Sequence, residues 1–267
     1  MEKIRVLVSG CCGRVGQEVV KMVMKDAHMQ LVGAVDQNQI GKDIGVVVGA
    51  DAAGVPVEGN LAEAIANRKP QVMVDFTTPA VVMNNIRTAI GAGVHVVVGT
   101  TGISQSDLEE IQGLCAVHGA NALIAPNFAV GALLMMRFAA MAAKYFSQVE
   151  IIELHHDRKL DAPSGTSIKT AEMILAARGE AAERSVGEEE KIKGVRGGEM
   201  NGVHLHSVRL PGLIAHQEVI FGGEGQILTI RHDSLSRESF MPGVALAVKK
   251  IMDRPGLTYG LEHFLFD

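Results

Sequence analysis

The chain has 267 residues, 47% of them apolar and 21% charged, with a net charge of −5. That length supports one large domain or two modest ones around a sizeable core. The mildly acidic balance, with basic residues scattered rather than gathered into a stripe, excludes a nucleic-acid partner.

The first element, "IRVLVSG" (Ile4–Gly10), reads as a strand. No long apolar run follows a basic start, so no signal peptide is expected. The strand runs into "CCGRVGQEVV" and a helix over Val15–Lys25. Gly10, Gly13 and Gly16 stand three apart, a variant of the dinucleotide fingerprint. The first permits a tight turn, the second a close pyrophosphate, the third close packing of helix on strand. Amides at the helix start suit phosphates. The next strand, Gln30–Asp36, ends on an acid twenty residues after Gly16, where the adenosine ribose hydroxyls are met. Together these features point to a nicotinamide dinucleotide rather than a structural turn alone. Asp36 and the following Gln37 favour NADH, while Arg14 on the loop can reach a 2′-phosphate, so NADPH stays open. Cys11 and Cys12 lie near helix amides, which can make a thiol redox-sensitive; as small residues in a crowded turn they have a simpler reading.

Three further strands follow, Gln71–Phe76, Val94–Thr100 and Asn121–Asn127. Helix-like stretches separate the strands at Leu61–Asn67, Ala80–Ala92 and Ser104–His118. The strands are continuously apolar, as expected when both faces of a parallel sheet are covered. Their alternation with helices predicts a Rossmann-like, doubly wound α/β domain over residues 1–128. Two strand-end turns, Gly99-Thr100-Thr101-Gly102 and Ala125-Pro126-Asn127-Phe128, fall on the carboxyl edge of that sheet, where ligands bind.

The pattern then changes to a predicted α+β domain over 129–236. A helix at Val130–Tyr145 includes the most apolar stretch, but Arg137 interrupts it well short of membrane length. The strand "VEIIELHH" and a helix at Thr166–Arg178 come next, then an acidic and glycine-rich segment over 179–200, expected as a mobile surface loop. Three strands, within "GVHLHSVRLP", "HQEVIFGG" and "QILTIRHDS", carry turn signals between them. A last helix, Phe240–Met252, belongs to a segment, 237–267, expected to pack back on the first domain. The three cysteines, Cys11, Cys12 and Cys115, form neither an even framework nor a Cys-x-x-Cys pair. A reduced, cytoplasmic protein with no membrane partner is expected.

The stretch "ELHHDRKLDAPSGTS" (Glu153–Ser167) is the densest in chemistry. His155 can hold or give a proton near neutral pH, and His156, Arg158 and Lys159 add donors. Ser164-Gly165-Thr166 then opens a helix whose amides can take an anion. A cationic turn before a helix start suits a carboxylate-bearing substrate that must be protonated. A solvated loop of acid–base pairs with an ordinary N-cap is the competing reading. No metal is expected, because adjacent histidines on a strand point apart and no H-E-x-x-H helix accompanies them. His204, His206, His216 and His232 are read as satisfied histidines of a sheet or subunit interface. The glycine loop alone would equally fit an amino-acid or sugar dehydrogenase, or a non-catalytic dinucleotide sensor.

The segments "GCCGRVG", "DFTTP", "VVVGTTG", "APNFAVG", "ELHHDRKLDAPSGT" and "HSVRLPGLIAHQEVIFGGEGQILTIRHDSLSRESF" resemble the 4-hydroxy-tetrahydrodipicolinate reductase (dihydrodipicolinate reductase) family of lysine and diaminopimelate biosynthesis, nearly end to end. The resemblance implies an N-terminal Rossmann domain, a C-terminal substrate and tetramerisation domain, NADH or NADPH as cofactor, and a cyclic imine dicarboxylate as substrate in a homotetramer. It makes His155 the proton donor/acceptor and Lys159 the second acid. His156, Ser164, Gly165, Thr166 and Arg237 become substrate contacts. Gly10, Cys11, Cys12, Gly13, Arg14, Val15, Asp36, Gly99, Thr100, Thr101, Ala125, Pro126, Asn127 and Phe128 become cofactor contacts. Cys11 and Cys12 stand where smaller residues are common, and Val15 where methionine is, which leaves cofactor preference open.

Overall fold

The β-branched runs of the first half form one parallel sheet in the computed structural model, which describes residues 2–178 and 189–266. Its parts in chain order are β1 (Ile4–Ser9), α1 (Arg14–Lys25), β2 (Met29–Val35), α2 (Ile44–Val47), β3 (Val57–Glu58), α3 (Leu61–Arg68), β4 (Val72–Asp75), α4 (Val82–Gly91), β5 (His95–Val98), α5 (Gln105–His118) and β6 (Ala122–Ile124). The middle of the sheet, Val6 to Val8, Val72 to Val74 and Val96 to Val98, is wholly out of solvent, as two helical layers require. Local signals set the helix ends. Asn60 caps α3, and Ser104 and Asp107 cap α5 reciprocally.

The chain continues through α6 (Val130–Ala142), β7 (Gln148–His155), α7 (Gly165–Arg178), β8 (Gly198–Met200), β9 (Val203–Arg209), β10 (Ala215–Gly223) and β11 (Gln226–Ser234). These strands make a mixed sheet in the order β11-β10-β7-β9-β8, in which only β7 and β9 run parallel. A 3-10 turn at Arg237–Phe240 then leads to α8 (Met241–Lys250), β12 (Leu257–Tyr259) and α9 (Glu262–Phe266). Strand β12 pairs with β6, completing a seven-stranded sheet ordered β12-β6-β5-β4-β1-β2-β3.

Two compact units result, Met1–Phe128 with Arg237–Asp267, and Ala129–Ser236. Within the first, α8 returns against α1, and Lys249 Nζ meets Asp26 Oδ2 at 2.6 Å. Helix α6 stops three residues before the expected Tyr145, and α7 starts one residue early at Gly165. The short elements α2, β3, β8, β12 and α9 were not anticipated, because two to five residues carry no readable period. Of the expected mobile loop over 179–200, residues 179–188 lie outside the described residues. Beyond them Glu190 folds the chain by accepting from the Gly194 amide at 2.9 Å and the Arg196 amide at 3.1 Å. Among the described residues no helix is long and apolar enough to cross a membrane.

Candidate functional site

In the first unit, two glycines shape the turn after β1. Gly10 has φ +79°, and a Cβ there would lie 2.5 Å from the Phe76 carbonyl oxygen; a Cβ on Gly16 would overlap the Gly10 carbonyl. Only bare backbone lets α1 begin so close to the strand. The helix follows Gly13 with no side-chain cap, so its first-turn amides keep the donor capacity that suits a phosphate.

Asp36 stands just past β2. It accepts from the Cys12 amide (2.9 Å), the Asn38 amide (2.9 Å) and Asn38 Nδ2 (3.0 Å). A cavity of about 730 Å³ opens on Gly10, Cys12, Gly13, Asp36, Gln37 and Asn38, and its described lining holds no Lys, Arg or His. A second cavity, about 380 Å³, is bounded by Arg14 and Val15 of the loop, by Gly99, Thr100 and Thr101 after β5, and by Arg237. Arg14 therefore borders this second space and not the one that holds Asp36. Arg237, grouped above with the substrate contacts, belongs to the unit of the glycine loop.

Of the second strand-end turn, Ala125 and Phe128 are buried, Asn127 is half-buried and Pro126 is exposed. The Ala125 amide donates to the Val98 carbonyl at 3.0 Å, and the Phe128 ring packs on Phe76 with centroids 5.6 Å apart. Burial pushes the Cys11 thiol up, with Cys12 and Asp36 adding to the shift; burial and then Asp36 raise Cys12 as well. Both shifts disfavour the thiolate form that a reactive cysteine uses.

Asp75 was not singled out by its sequence position. It ends β4 with no exposure. Its carboxylate accepts from the Thr77 amide (3.0 Å), Thr77 Oγ1 (2.7 Å), Thr100 Oγ1 (2.8 Å) and Asn85 Nδ2 (2.8 Å). It thereby ties the ends of β4 and β5 to α4 and fixes the edge that carries Thr100. The available signal was a lone acid closing the apolar run of "DFTTP", since a buried carboxylate needs partners.

In the second unit, the end of β7 carries a chain of charged groups. His155 Nδ1 bonds Glu153 Oε2, and Glu153, with no exposure, takes two bonds from Arg209: NH1 to Oε2 at 2.9 Å and NH2 to Oε1 at 2.7 Å. Burial works against the Glu153 charge, but hydrogen bonds from Arg209, Ser207 and His155 outweigh it and hold the carboxyl below its usual range. Burial lowers His155 despite the opposing pull of Glu153, and the nearby charges of Lys159 and Arg209 lower it further. The imidazole is therefore neutral at pH 7, with its proton on Nδ1 toward Glu153 and a lone pair on Nε2.

Lys159 Nζ reaches both oxygens of the exposed Asp161, at 2.7 and 2.8 Å. The buried ring atom Nδ1 of His156 has no hydrogen-bond partner among the described residues. Ser164 is turned inward: its hydroxyl accepts from the Ser167 amide at 3.2 Å and meets Ser167 Oγ at 3.0 Å, so it caps α7. Ser167, Gln217 and Thr170 extend that buried polar ladder. Gly165 is exposed and Thr166 half-buried at the helix start. His204, His206 and His216 have partners, the Arg196 carbonyl, Glu150 and Asp233 respectively, and His232 packs on Gly131.

Sequence reasoning nominated His155 and Lys159 but missed Glu153 and Arg209 as the groups that hold the imidazole. Arg209 becomes their neighbour only through the in-register pairing of β7 with β9, which sets His155 opposite Arg209.

Family models described as dihydrodipicolinate reductase, N-terminus, and dihydrodipicolinate reductase, C-terminus, match residues 4–128 and 131–265. A relative from Desulfitobacterium hafniense (strain DSM 10664 / DCB-2), named 4-hydroxy-tetrahydrodipicolinate reductase, is 54% identical over 99% of this chain and 100% of its own. One of the same name from Listeria monocytogenes serotype 4b (strain CLIP80459) is 54% identical over 98% of this chain and 100% of its own. The solved structure of a dipicolinate-bound dihydrodipicolinate reductase from Paenisporosarcina sp. TG-14 is 46% identical, covers 98% of this chain and 99% of its own, and superposes with a TM-score of 0.86. An amine dehydrogenase from Mycobacterium smegmatis, at 15% identity and a TM-score of 0.67, shares the fold alone.

Proposed function

The chain belongs to the dihydrodipicolinate reductase family, and we propose that it acts as its relatives are named: an NAD(P)H-dependent oxidoreductase that converts 4-hydroxy-tetrahydrodipicolinate to tetrahydrodipicolinate in lysine and diaminopimelate biosynthesis. The observation that carries the reading is the His155–Glu153–Arg209 chain beside Lys159 and the start of α7. It is a held imidazole with cations next to it, which suits an acidic substrate that must be protonated.

The first unit would hold the dinucleotide. The glycine cradle that a Cβ would fill, the uncapped start of α1 and the cavity at Asp36 fit its pyrophosphate and adenosine ribose. Gly10 to Val15, Asp36, Gly99 to Thr101 and Ala125 to Phe128 are the contacts we assign. When bound, the cofactor would supply a hydride to C4 of the conjugated imine left after the 4-hydroxyl and a C3 proton depart as water, and the resulting enamine would take a proton back at C3. Because Arg14 borders the other cavity and no base lines the one with Asp36, NADH should serve at least as well as NADPH.

The second unit would hold the substrate. In the free protein His155 is neutral and cannot donate from Nε2. Two substrate carboxylates beside the ring favour its charged form, so the acid is loaded when the substrate arrives. Glu153 holds Nδ1–H throughout, which aims Nε2–H at the substrate for delivery of a proton to C3. Lys159, whose present partner Asp161 is exposed, can exchange that partner for a substrate carboxylate and act as the second acid. The unpartnered Nδ1 of His156 and the Gly165 and Thr166 amides are donors suited to the remaining carboxylate oxygens. Arg237 remains assigned to substrate, while the Ser164 hydroxyl serves the helix cap.

Exposed apolar side chains of the second unit, Leu210, Ile227 and Leu235, support association, and a homotetramer is the state we propose. The deciding assay is oxidation of NADH and of NADPH with freshly made 4-hydroxy-tetrahydrodipicolinate, and with dipicolinate as a competitive inhibitor. Absence of turnover with either cofactor would overturn the reading.

A further inference from the structure

We infer that Cys11, Cys12 and Asp36 form a site for a thiophilic divalent cation, zinc(II) or cadmium(II), and that this cation and the dinucleotide exclude one another. No metal was expected from the sequence, where adjacent histidines point apart with no cysteine pair or H-E-x-x-H helix beside them; Cys11 and Cys12 are adjacent as well. On a strand they would project to opposite faces. The left-handed Gly10 turns the chain as β1 ends, and both side chains come round to the same side.

The geometry is that of a coordination edge. Cys11 Sγ and Cys12 Sγ are 3.9 Å apart, and the ligand atoms of Cys11, Cys12 and Asp36 all lie within 4.8 Å of one another. Zinc–thiolate bonds of about 2.3 Å at a tetrahedral angle place two sulfurs about 3.8 Å apart. The two cysteines therefore already span one edge of such a site. The carboxylate is oriented in advance, with one oxygen accepting from the Cys12 amide and the other from Asn38; outer bonds of this kind hold metal ligands in place. Oδ1 takes both bonds from Asn38, whereas Oδ2, which accepts only from the Cys12 amide, keeps a second lone pair for the cation.

Two sulfurs select a soft cation over magnesium or calcium. Cys12 and Asp36 border the 730 Å³ cavity, so the fourth position is open to water, as in an exchangeable site rather than a closed structural one. Binding replaces the two thiol protons, which pass to solvent. The exclusion follows from Asp36. A carboxylate bound to the cation cannot also receive the adenosine ribose hydroxyls, and this half of the inference rests on the dinucleotide reading above.

The test is titration of cadmium(II) into the reduced full-length protein, followed by thiolate-to-metal charge-transfer absorption. One equivalent should bind. The band should disappear in Cys12→Ala and Cys12→Ser and persist in Cys115→Ala, with circular dichroism confirming that each variant is folded. Asp36→Asn should weaken binding about tenfold or more. NADH should lower the apparent cadmium affinity in proportion to its concentration, and zinc(II) should raise the KM for NADH without lowering kcat. A wild-type protein without the band, or folded Cys12 variants that keep it, overturns the site. A band indifferent to NADH that does bind overturns the exclusion. If metal-free protein fails to bind NADH, the exclusion falls with the dinucleotide reading, while a band lost in the Cys12 variants still establishes the cation site.

Discussion

Replacing Glu153 with Gln tests the charged chain behind His155. The side chain keeps its volume but loses its charge, in a position with no exposure, facing a guanidinium that is only 19% exposed. Removing one partner of a buried pair costs about 3–5 kcal/mol, mainly through the charge left behind. Arg209 also donates to the Val208 and Asp161 carbonyls, so the lower end, about 3 kcal/mol, is expected in urea unfolding of the second unit. The kinetic effect has a different cause. Glu153 favours the charged form of His155 against burial. Without it the imidazole protonates only at lower pH, and each tenfold loss of the acid form corresponds to about 1.4 kcal/mol. A positioned general acid contributes about 10²–10⁴-fold, and Glu153→Gln keeps the ring but loosens it. A kcat loss of about ten- to a hundredfold at neutral pH is therefore expected, smaller than that of His155→Gln.

The diagnostic readout is the pH profile. On the proposed role of His155 as the acid, its depressed free-protein pKa means that kcat/KM should fall as pH rises through a value below 6.5. In Glu153→Gln that limb should move to still lower pH, while NADH affinity stays unchanged. A merely structural loss would lower the rate equally at every pH. A reduced rate with an unmoved limb would refute the positioning role, and an unchanged rate would refute His155 as the donor.

His155→Gln should lower kcat by about 10²–10⁴-fold with normal NADH binding by fluorescence titration. Lys159→Met should lower kcat and also raise the substrate KM, because in the proposed roles it removes the second acid and a charge that meets a substrate carboxylate. Gly16→Ala drives a Cβ into the Gly10 carbonyl and should weaken NADH binding while leaving dipicolinate binding, measured by calorimetry, intact. Glu153 and Glu150 are both held below 4.5, burial opposing but Arg209 and Arg196 prevailing. Their stabilisation is complete above that ordinary value and lost as pH falls through the lower folded values. Thermal unfolding should therefore show a steep acid loss below about 4.5, and Glu153→Gln should flatten it.

What was legible in the sequence is what is local. Buried parallel strands announce themselves as short β-branched runs, and the glycine spacing before α1 encodes a turn whose Cβ clashes the structure bears out. Local composition also marked His155 and Lys159, but it left Ser164 open as an anion contact, whereas its hydroxyl caps α7. The rest depends on pairing across long stretches of chain. Arg209 meets Glu153 across 56 residues, and Thr100 meets Asp75 across 25. Neither distance follows from any period in the sequence. A weaker signal was nonetheless present in β7, where Val149, Ile151 and Glu153 are its fully buried positions. An acid in the third place of an otherwise apolar set cannot stay charged without a partner. It therefore announces an unseen cation and, two residues on along the same face, an imidazole held by the same carboxylate. The partner's identity had to wait for the register of β9, but its existence was implied by Glu153 alone.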